Sequence, residues 1–296
     1  MVGLVRLDQG AYYLPGPANL GVAAAGRRAV AVDTGLDEDR ARRLLRALHE
    51  EGLELGAVIL THSHADHMGG AAFLASRTGA PVFCSLEERP FVESPVLEGM
   101  SLFGGYPPRN LRNKFLLAPP CRVEGVLGPG PALLAGVEVE VVPLLGHSLG
   151  HVGVRCGGVL FSGDVYIGRD VLARHGVPFL VEVDAAAATL EGLLASEAAG
   201  CLVPGHGQPG PGWREDARAN LDRIREVADR VQRLLERPLT SQEASRELCR
   251  AYGVRVEAPG QYYLMLSATK AFLTYLFDQG LIGSSVRDGN LLWHRR

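Results

Sequence analysis

The chain has 296 residues, of which 47% are apolar and 21% charged, and its net charge is -3. This composition is that of an ordinary globular protein and excludes a disordered chain. There is no run of about twenty uncharged apolar residues, and the N-terminus lacks the pattern of a signal peptide, so we predict a cytoplasmic protein without a membrane span.

Short apolar runs separated by glycine, proline and asparagine fill the first part of the chain. They predict strands at residues 1–7, 11–14, 21–25, 29–32, 57–60 and 81–84. Two helices are expected between these strands. One covers 38–51, where Asp37 can cap the N-terminus and Gly52 ends the helix, and the other covers 69–78. Strands and helices therefore alternate, as in an α/β fold.

Residues that commonly bind metals are concentrated directly after the predicted strand at 57–60. Four of them occur within six positions, namely His62, His64, Asp66 and His67. His62 and His64 alternate at the end of an extended segment and therefore point the same way, towards one ion. Asp66 and His67 follow as the chain turns into a helix and can face a second ion. Imidazoles together with carboxylates suit borderline and hard divalent ions.

No regular period is visible between Leu86 and Arg122, and we predict that this segment is irregular. Long irregular segments inside compact domains are more often functional than idle. We favour a lid over an active site; a surface excursion or an oligomer contact is the alternative. The residues that could contact an anionic substrate are Tyr106, Arg109, Arg112 and Lys114.

Three further ligand-type residues each follow an apolar segment and stand beside a glycine. They are His147, Asp164 and His206. Strands predicted at 137–143, 152–156, 159–161 and 201–203 and a helix at 185–199 surround them. A strand that ends at a glycine can present a side chain at the rim of a sheet. Isolated histidines often cap helices or fill cores, but this repeated construction favours a metal site.

On these residues the chain resembles the metallo-beta-lactamase superfamily over residues 1 to about 210. The resemblance implies a four-layer αββα sandwich with metals at one edge of the sheets. It implies one ligand set of His62, His64 and His147, a second of Asp66, His67 and His206, and a bridging Asp164. The pattern is more similar to the glyoxalase II branch of thioester hydrolases than to the antibiotic-degrading enzymes.

The C-terminal part is predicted to be a separate, small and mainly helical domain at 211–296, after a catalytic domain at 1–210. A long amphipathic helix at 217–235 precedes a helix that begins with the capping box Thr240–Glu243 and ends near Tyr252. A third helix at 262–279 and a hairpin around Asp288 and Gly289 complete the pattern.

Three helices followed by a hairpin resemble a winged-helix module. DNA readout would require a basic recognition helix, but the third helix offers only Lys270 against Asp278. The 14 lysines and arginines against 11 acidic residues after residue 211 are too weak a balance to establish nucleic-acid binding. We favour a module that braces the catalytic domain and forms a wall of the substrate pocket.

Two ions about 3.5 to 4 Å apart can hold a shared water and lower its pKa to near 7. We therefore predict a metal-dependent hydrolase that uses a metal-bridging hydroxide on a small ester-like substrate, with a thioester or lactone favoured by the resemblance. Two zinc ions are favoured, with iron or manganese as alternatives. Three residues are candidates for a catalytic role. Asp66, besides binding metal, can orient the water, and His151 can be a partner of a ligand or a substrate contact. Tyr166 can donate to an oxyanion.

Other functions remain open at this stage. A phosphodiesterase or ribonuclease would use the same two-metal set, but the weak basic balance opposes it. A persulfide dioxygenase would use one iron through His62, His147 and Asp164. A non-catalytic binding role would require the full ligand set without turnover. We expect a small-molecule substrate as partner, with nucleic acid less favoured and a homo-oligomer as a further alternative.

Overall fold

The computed structural model describes residues 3–196 and 200–296. Within these ranges the strands are β1 (Val5–Asp8), β2 (Ala11–Leu14), β3 (Leu20–Ala25), β4 (Arg28–Val32), β5 (Glu54–Ile59), β6 (Val82–Cys84), β7 (Gly125–Val126), β8 (Gly130–Leu134), β9 (Val137–Pro143), β10 (Val152–Cys156), β11 (Val159–Gly163), β12 (Cys201–Pro204), β13 (Ile282–Arg287) and β14 (Asn290–Arg295). The helices are α1 (Glu38–Glu50), α2 (Ala65–Met68), α3 (Ala71–Thr78), α4 (Arg89–Glu93), α5 (Val96–Phe103), α6 (Arg169–His175), α7 (Val183–Ala195), α8 (Trp213–Leu234), α9 (Ser241–Ala251) and α10 (Pro259–Asp278), with one 3-10 turn at Arg109–Leu111.

Two mixed sheets form the centre of the molecule. The first sheet has the strand order β1-β2-β3-β4-β5-β6-β7, antiparallel up to β4 and parallel from β4 to β7. The second has the order β12-β11-β10-β9-β8, in which β11 and β12 alone run parallel. The strands β13 and β14 form a separate hairpin.

Side-chain alternation along the central strands produces four layers. In β4, Val30 and Val32 face the second sheet, whereas Ala29 and Ala31 face a core that includes residues of α1 and α3. In β11, Phe161 lies between the sheets and Leu160 faces the helices α7, α8 and α10. Because successive side chains of a strand point to opposite faces, two buried faces per sheet require a helical layer on each outer side. The αββα sandwich implied by the resemblance is confirmed.

Parallel pairing brings the predicted ligands to one edge of the sheets. β11 and β12 run parallel, with Gly163 opposite Pro204, so the residues that follow both strands leave the second sheet together. The loop between β9 and β10 leaves at the same edge, because β9 runs in the direction of β11. The amide of Val152 donates to the carbonyl of Thr61 (3.0 Å), which joins this edge to the end of β5 in the first sheet.

Several element predictions are confirmed with their bounds. The strands at 11–14, 137–143 and 152–156 match β2, β9 and β10. The capping box is present, because the Thr240 hydroxyl accepts from the Glu243 amide (3.2 Å) and the Glu243 carboxylate accepts from the Thr240 amide (2.8 Å). The hairpin turns at Asp288 and Gly289, both with positive φ. Residues 1–2 of the first predicted strand and 197–199 of the helix predicted at 185–199 lie outside the described residues.

Other element predictions were wrong. The segment from Leu86 to Arg122 contains α4 and α5 rather than being irregular throughout. Pro90 and Pro95 lie in the first turn of α4 and at the N-cap of α5, where a missing amide is tolerated, so they interrupt neither helix. The helix predicted at 69–78 starts only at Ala71, and β7, β8 and α6 were not predicted.

The C-terminal helices share one hydrophobic core with the second sheet. Leu144, Leu160 and Leu202 of the sheet side belong to the same buried cluster as Leu221 of α8 and Phe272 of α10. The predicted helices and hairpin after residue 211 are therefore observed packed against the sheet, while the domain boundary and the winged-helix assignment stay predictions. Across the described residues, no helix combines the length and apolar character that a membrane span requires.

We expect Phe272→Ala to destabilise the whole chain by about 3–5 kcal/mol, because it leaves a cavity in the core shared by sheet and helices. Urea unfolding followed by circular dichroism would measure the loss. Phe277→Ala on the same helix is the control, since Phe277 is 38% exposed and should change stability by about 1 kcal/mol or less. Two separate transitions, with only the C-terminal one shifted, would contradict a common core.

Candidate metal centre

The seven ligand-type side chains predicted from the sequence lie together at the sheet edge. Their ligand atoms form three overlapping groups, and within each group all the atoms lie within 4.8 Å of one another. The groups are His62 with His64 and His147; His62 with His67 and Asp164; and Asp66 with His67 and His206. Because His62 and His67 each belong to two groups, the seven side chains surround one continuous site.

Backbone carbonyls orient two of the imidazoles. Nδ1 of His147 lies 3.0 Å from the carbonyl oxygen of Phe179, and Nδ1 of His206 lies 2.6 Å from that of Pro17. A carbonyl can only accept, so Nδ1 carries a proton in both rings, which leaves Nε2 as the nitrogen that can bind a metal. In both residues that Nε2 faces the ligand group, 3.6 and 3.5 Å from Oδ2 of Asp164. Such outer contacts fix ring and tautomer for metal binding.

Asp33 performs the same task for His67 and also shapes the corner before His62. Its carboxylate is 2% exposed and accepts from the Thr61 amide (2.8 Å), from the Thr61 hydroxyl (2.8 Å) and from Nδ1 of His67 (2.8 Å). Asp33 itself has φ 64, a conformation that aspartate and asparagine adopt more readily than most residues. The turn after β4 is therefore built to present this carboxylate to the site.

The site contains buried polar atoms without a hydrogen-bond partner. They are Nε2 of His62, Nε2 of His67 and Oδ1 of Asp164. Orphaned buried polar atoms are unfavourable, and three that converge on one place indicate a missing electrophilic partner. The nitrogen and oxygen donor set, without a thiolate, fits a borderline or hard divalent cation such as zinc, iron or manganese.

The pKa values of the buried side chains depend on burial and on the neighbouring charges. Burial alone would raise the pKa of Asp164, but the facing His67 and His206 lower it well below its usual range. Burial would lower the pKa of His67, yet Asp164 and Asp33 raise it well above the ordinary value. Burial and then the neighbouring His67 lower the pKa of His62. His62 is thus neutral and can donate a lone pair to a metal ion. His67 carries a proton that a metal ion would displace on binding.

His151 supports the site rather than facing a substrate. Its ring is fully buried, Nδ1 donates to the carbonyl of Leu144 (2.9 Å), and Nε2 accepts from the Asp164 amide (3.0 Å). Burial lowers the pKa of His151 to about 4, so the ring is a neutral acceptor near pH 7. Both ring nitrogens are engaged, which favours the ligand-partner alternative over the substrate contact that the sequence also allowed.

Tyr166 does not line the opening of the site, and we correct the predicted role as an oxyanion donor. Its ring is 1% exposed and belongs to the core cluster shared by the second sheet and the C-terminal helices. The chain turns inward directly after Asp164, which the sequence pattern did not indicate. A side chain without accessible surface offers a substrate no contact in this conformation.

A profile of the metallo-beta-lactamase superfamily matches residues 13–206, which include all seven ligand-type residues. The chain belongs to the metallo-beta-lactamase superfamily.

Relatives with curated names are hydroxyacylglutathione hydrolases. The chain is 33% identical over 134 residues to the enzyme of Methylobacillus flagellatus, covering 45% of this chain and 42% of that protein. It is 31% identical over 165 residues to hydroxyacylglutathione hydrolase GloC of Haemophilus influenzae, covering 52% of this chain and 71% of that protein. The matched part therefore spans less than half of the length of the first relative.

A solved structure extends the likeness to the C-terminal part. A metallo-beta-lactamase family protein of Thermus thermophilus is similar with a TM-score of 0.78 and 25% identity, covering 98% of this chain and 100% of that one. The superfamily sandwich followed by C-terminal helices is thus an arrangement found in another protein, although the family profile ends at residue 206.

The segment that we predicted as a lid connects the superfamily sandwich to the C-terminal helices. Phe103 at the end of α5 contacts the ring of Tyr263 in α10 (centroids 5.3 Å apart). Lys114, predicted to contact substrate, is paired with Asp37 at the N-cap of α1 (2.9 Å). Arg112 lies over the ring of Tyr106, which is 65% exposed. The lid therefore stays a prediction. Lys114 is already paired with Asp37, so fewer of the predicted basic side chains can contact a substrate than the sequence suggested.

Sequence reasoning missed three residues at the site. Phe179 packs against the rings of His64 and His147, with centroids 5.5 and 6.0 Å apart. Asn19 binds the loop that carries His206, and Glu88 binds the loops on the other side of the site. Nothing in their local sequence distinguishes them, because each acts on residues far away in the chain.

We expect Asp33→Asn to weaken binding of one of two zinc ions by about 10- to 100-fold, since the neutral amide cannot hold His67 as the carboxylate does. Asparagine tolerates the positive φ, so the backbone should be retained. Competition with a chromophoric chelator would measure both affinities. Asp37→Asn, which replaces an aspartate by another good N-cap, is the matched control. Equal zinc affinity in the Asp33 variant and the wild type would contradict the assigned role.

Proposed function

We propose that this protein is a metal-dependent hydrolase of a small ester-like substrate and that the substrate is a thioester of the hydroxyacyl-glutathione class. The observation that carries the proposal is the convergence of seven oriented nitrogen and oxygen donors, with orphaned buried atoms among them. The names of the relatives support the thioester. Lactones, which share the acyl carbon chemistry, are the closest alternative within this class.

His62, His64 and His147 would hold one ion, and Asp66, His67 and His206 the other. Asp164 is placed between the two groups, because Oδ2 lies 3.6 Å from Nε2 of His147 and Oδ1 lies 3.4 Å from Nε2 of His67. We propose that this carboxylate bridges. Divalent ions bound there would act as Lewis acids that lower the pKa of water and polarise the scissile carbonyl.

Asp66 is the ligand-type residue best placed to orient a water. Its side chain is 42% exposed, whereas that of Asp164 is 8% exposed. Burial would raise its pKa, but His67 and a contact with Nε2 of His206 (3.1 Å) lower the pKa of Asp66, so the carboxylate stays ionised. An ionised carboxylate at the mouth accepts a hydrogen bond from water and fixes its direction of approach.

One residue on the rim suits the organic part of the substrate, and another connects the predicted lid to the site. Phe179, half-buried beside His64, offers an apolar surface for an acyl chain next to the site. Glu98 of α5 lies 3.9 Å from Nε2 of His64, so the predicted lid reaches the same ligand. A polyanionic nucleic acid is disfavoured here, because Lys114 of that segment is already paired with Asp37. We also propose that the protein acts in the cytoplasm, where a glutathione thioester would form.

We expect Asp66→Ala and His64→Ala to lower kcat/KM for a hydroxyacyl-glutathione thioester by more than about 100-fold while the fold survives, since each removes a donor from one ligand group. A thiol-release assay would measure turnover, and circular dichroism the fold. His49→Ala, an exposed histidine on α1, is the control and should keep full activity. Undiminished turnover in either site variant would sink the proposal.

Removal of metal by a chelator should abolish thioester turnover and lower the midpoint of thermal unfolding, because the buried donors lose their partner. At free zinc about 100 times Kd, each ion that rebinds should stabilise the protein by about 2.7 kcal/mol, and turnover should return. Elemental analysis of protein purified without added metal should show about two zinc ions per chain. A single iron with oxygen uptake on a persulfide, or turnover of a bis-aryl phosphodiester only, would contradict the thioesterase proposal.

A further inference from the structure

Glu88 is a buried carboxylate that accepts four hydrogen bonds. It stands directly before α4 and is 1% exposed. Oε2 accepts from the amide (2.9 Å) and the hydroxyl (2.6 Å) of Ser63. Oε1 accepts from the hydroxyl of Ser148 (2.6 Å) and from the amide of Gly150 (2.9 Å). Four donors on two oxygens are the pattern of an ionised carboxylate, which accepts only.

The donors to Glu88 belong to the loops that carry one ligand group. Ser63 stands between His62 and His64, and Ser148 directly follows His147. One oxygen of Glu88 binds the first loop and the other binds the second. The carboxylate therefore joins the two loops that carry the three imidazoles of this group, beside the backbone bond from Val152 to Thr61.

The partners of Glu88 in these four bonds are neutral groups, so its negative charge is not cancelled by them. A buried charge is unfavourable unless an opposite charge lies near it. Ser63 stands between His62 and His64, so a cation held by these imidazoles would be bound by the residues on either side of a donor to Glu88. A cation bound there and the Glu88 carboxylate would stabilise each other.

We propose that Glu88 is a positioning residue for the ion held by His62, His64 and His147, acting through both loops and through its charge. This inference rests on the proposed metal centre, but not on the identity of the substrate. Glu88 does not touch the substrate and is not a catalytic residue. Its position at the root of the predicted lid also ties that segment to the metal loops.

The other ligand group has a separate support, which provides a matched comparison. Nδ2 of Asn19 donates to the carbonyls of Pro204 (2.9 Å) and Gly207 (2.8 Å), and the Asn19 amide donates to the carbonyl of Gly205 (2.7 Å). These contacts bracket His206, which belongs to the group with Asp66 and His67. Asn19 should therefore matter for the second ion, and Glu88 for the first.

The test uses zinc binding in backgrounds that keep a single ligand group. His206→Ala removes a donor of the second group, and His147→Ala one of the first. Glu88→Gln should weaken zinc about 10- to 100-fold in the His206→Ala background and change it less than about threefold in the His147→Ala background. Asn19→Ala should show the opposite selectivity. Competition with a chromophoric chelator measures each dissociation constant, with circular dichroism of the metal-free protein alongside.

Equal losses of zinc affinity in both backgrounds would overturn the proposal, because a merely structural residue has no preference between the two ligand groups. No loss in either background would overturn it as well, because Glu88 would then have no effect on zinc binding. Should Glu88→Gln not fold, Ser148→Ala removes one donor while keeping the charge and should give a smaller loss with the same selectivity. The readout is zinc affinity rather than turnover. A protein that binds two zinc ions without cleaving thioesters would therefore contradict the proposed substrate and still give a clear answer on Glu88.

Discussion

Seven imidazole and carboxylate side chains form three overlapping groups in a mostly buried site, with the ligand atoms of each group within 4.8 Å of one another, and much of the surrounding structure serves to hold them there. Such crowding is unfavourable without a cation, since Nε2 of His62, Nε2 of His67 and Oδ1 of Asp164 are buried without a hydrogen-bond partner. Contacts outside the site hold the crowded side chains in place. The carboxylates of Asp33 and Glu88 and the carbonyls of Pro17 and Phe179 orient the rings or their loops before any ion binds.

The two sheets supply the rigid frame for these contacts. Residues after β4 and β5 leave the first sheet, residues after β9, β11 and β12 leave the second, and the bond from Val152 to Thr61 joins the two exits. Close approach is allowed where side chains are absent. A Cβ on Gly205 would overlap the carboxylate of Asp164, so the chain before His206 can pass this ligand only as glycine. The strand order of the two sheets therefore determines which ligand-type side chains can meet at the site.

Local pattern was enough to predict the ligand-type residues and many strands, because four of these residues follow the apolar run at 57–60 and each of the other three follows an apolar segment beside a glycine. The outer contacts could not be predicted in this way. Glu88 acts on residues 25 and 60 positions away, and its own surroundings read as an irregular segment. Proline occurs both after the ends of helices and in their first turns, so the prolines of this segment did not indicate α4 and α5. Tyr166 lies beyond the end of β11, where the alternation of a strand no longer predicts the direction of a side chain.

The segment from Leu86 to Arg122 is attached at both ends of its helical part, at Glu88 to the metal loops and at Phe103 to Tyr263 in α10. Between Phe103 and the paired Lys114, Tyr106 is 65% exposed, and Phe115 just beyond is 68% exposed. The attached residues of this segment, Glu88 and Phe103, are thus distinct from its exposed residues, Tyr106 and Phe115. Tyr106 and Phe115 could therefore be replaced without loss of the contacts at Glu88 and Phe103, which connect the segment to the candidate metal site and to α10.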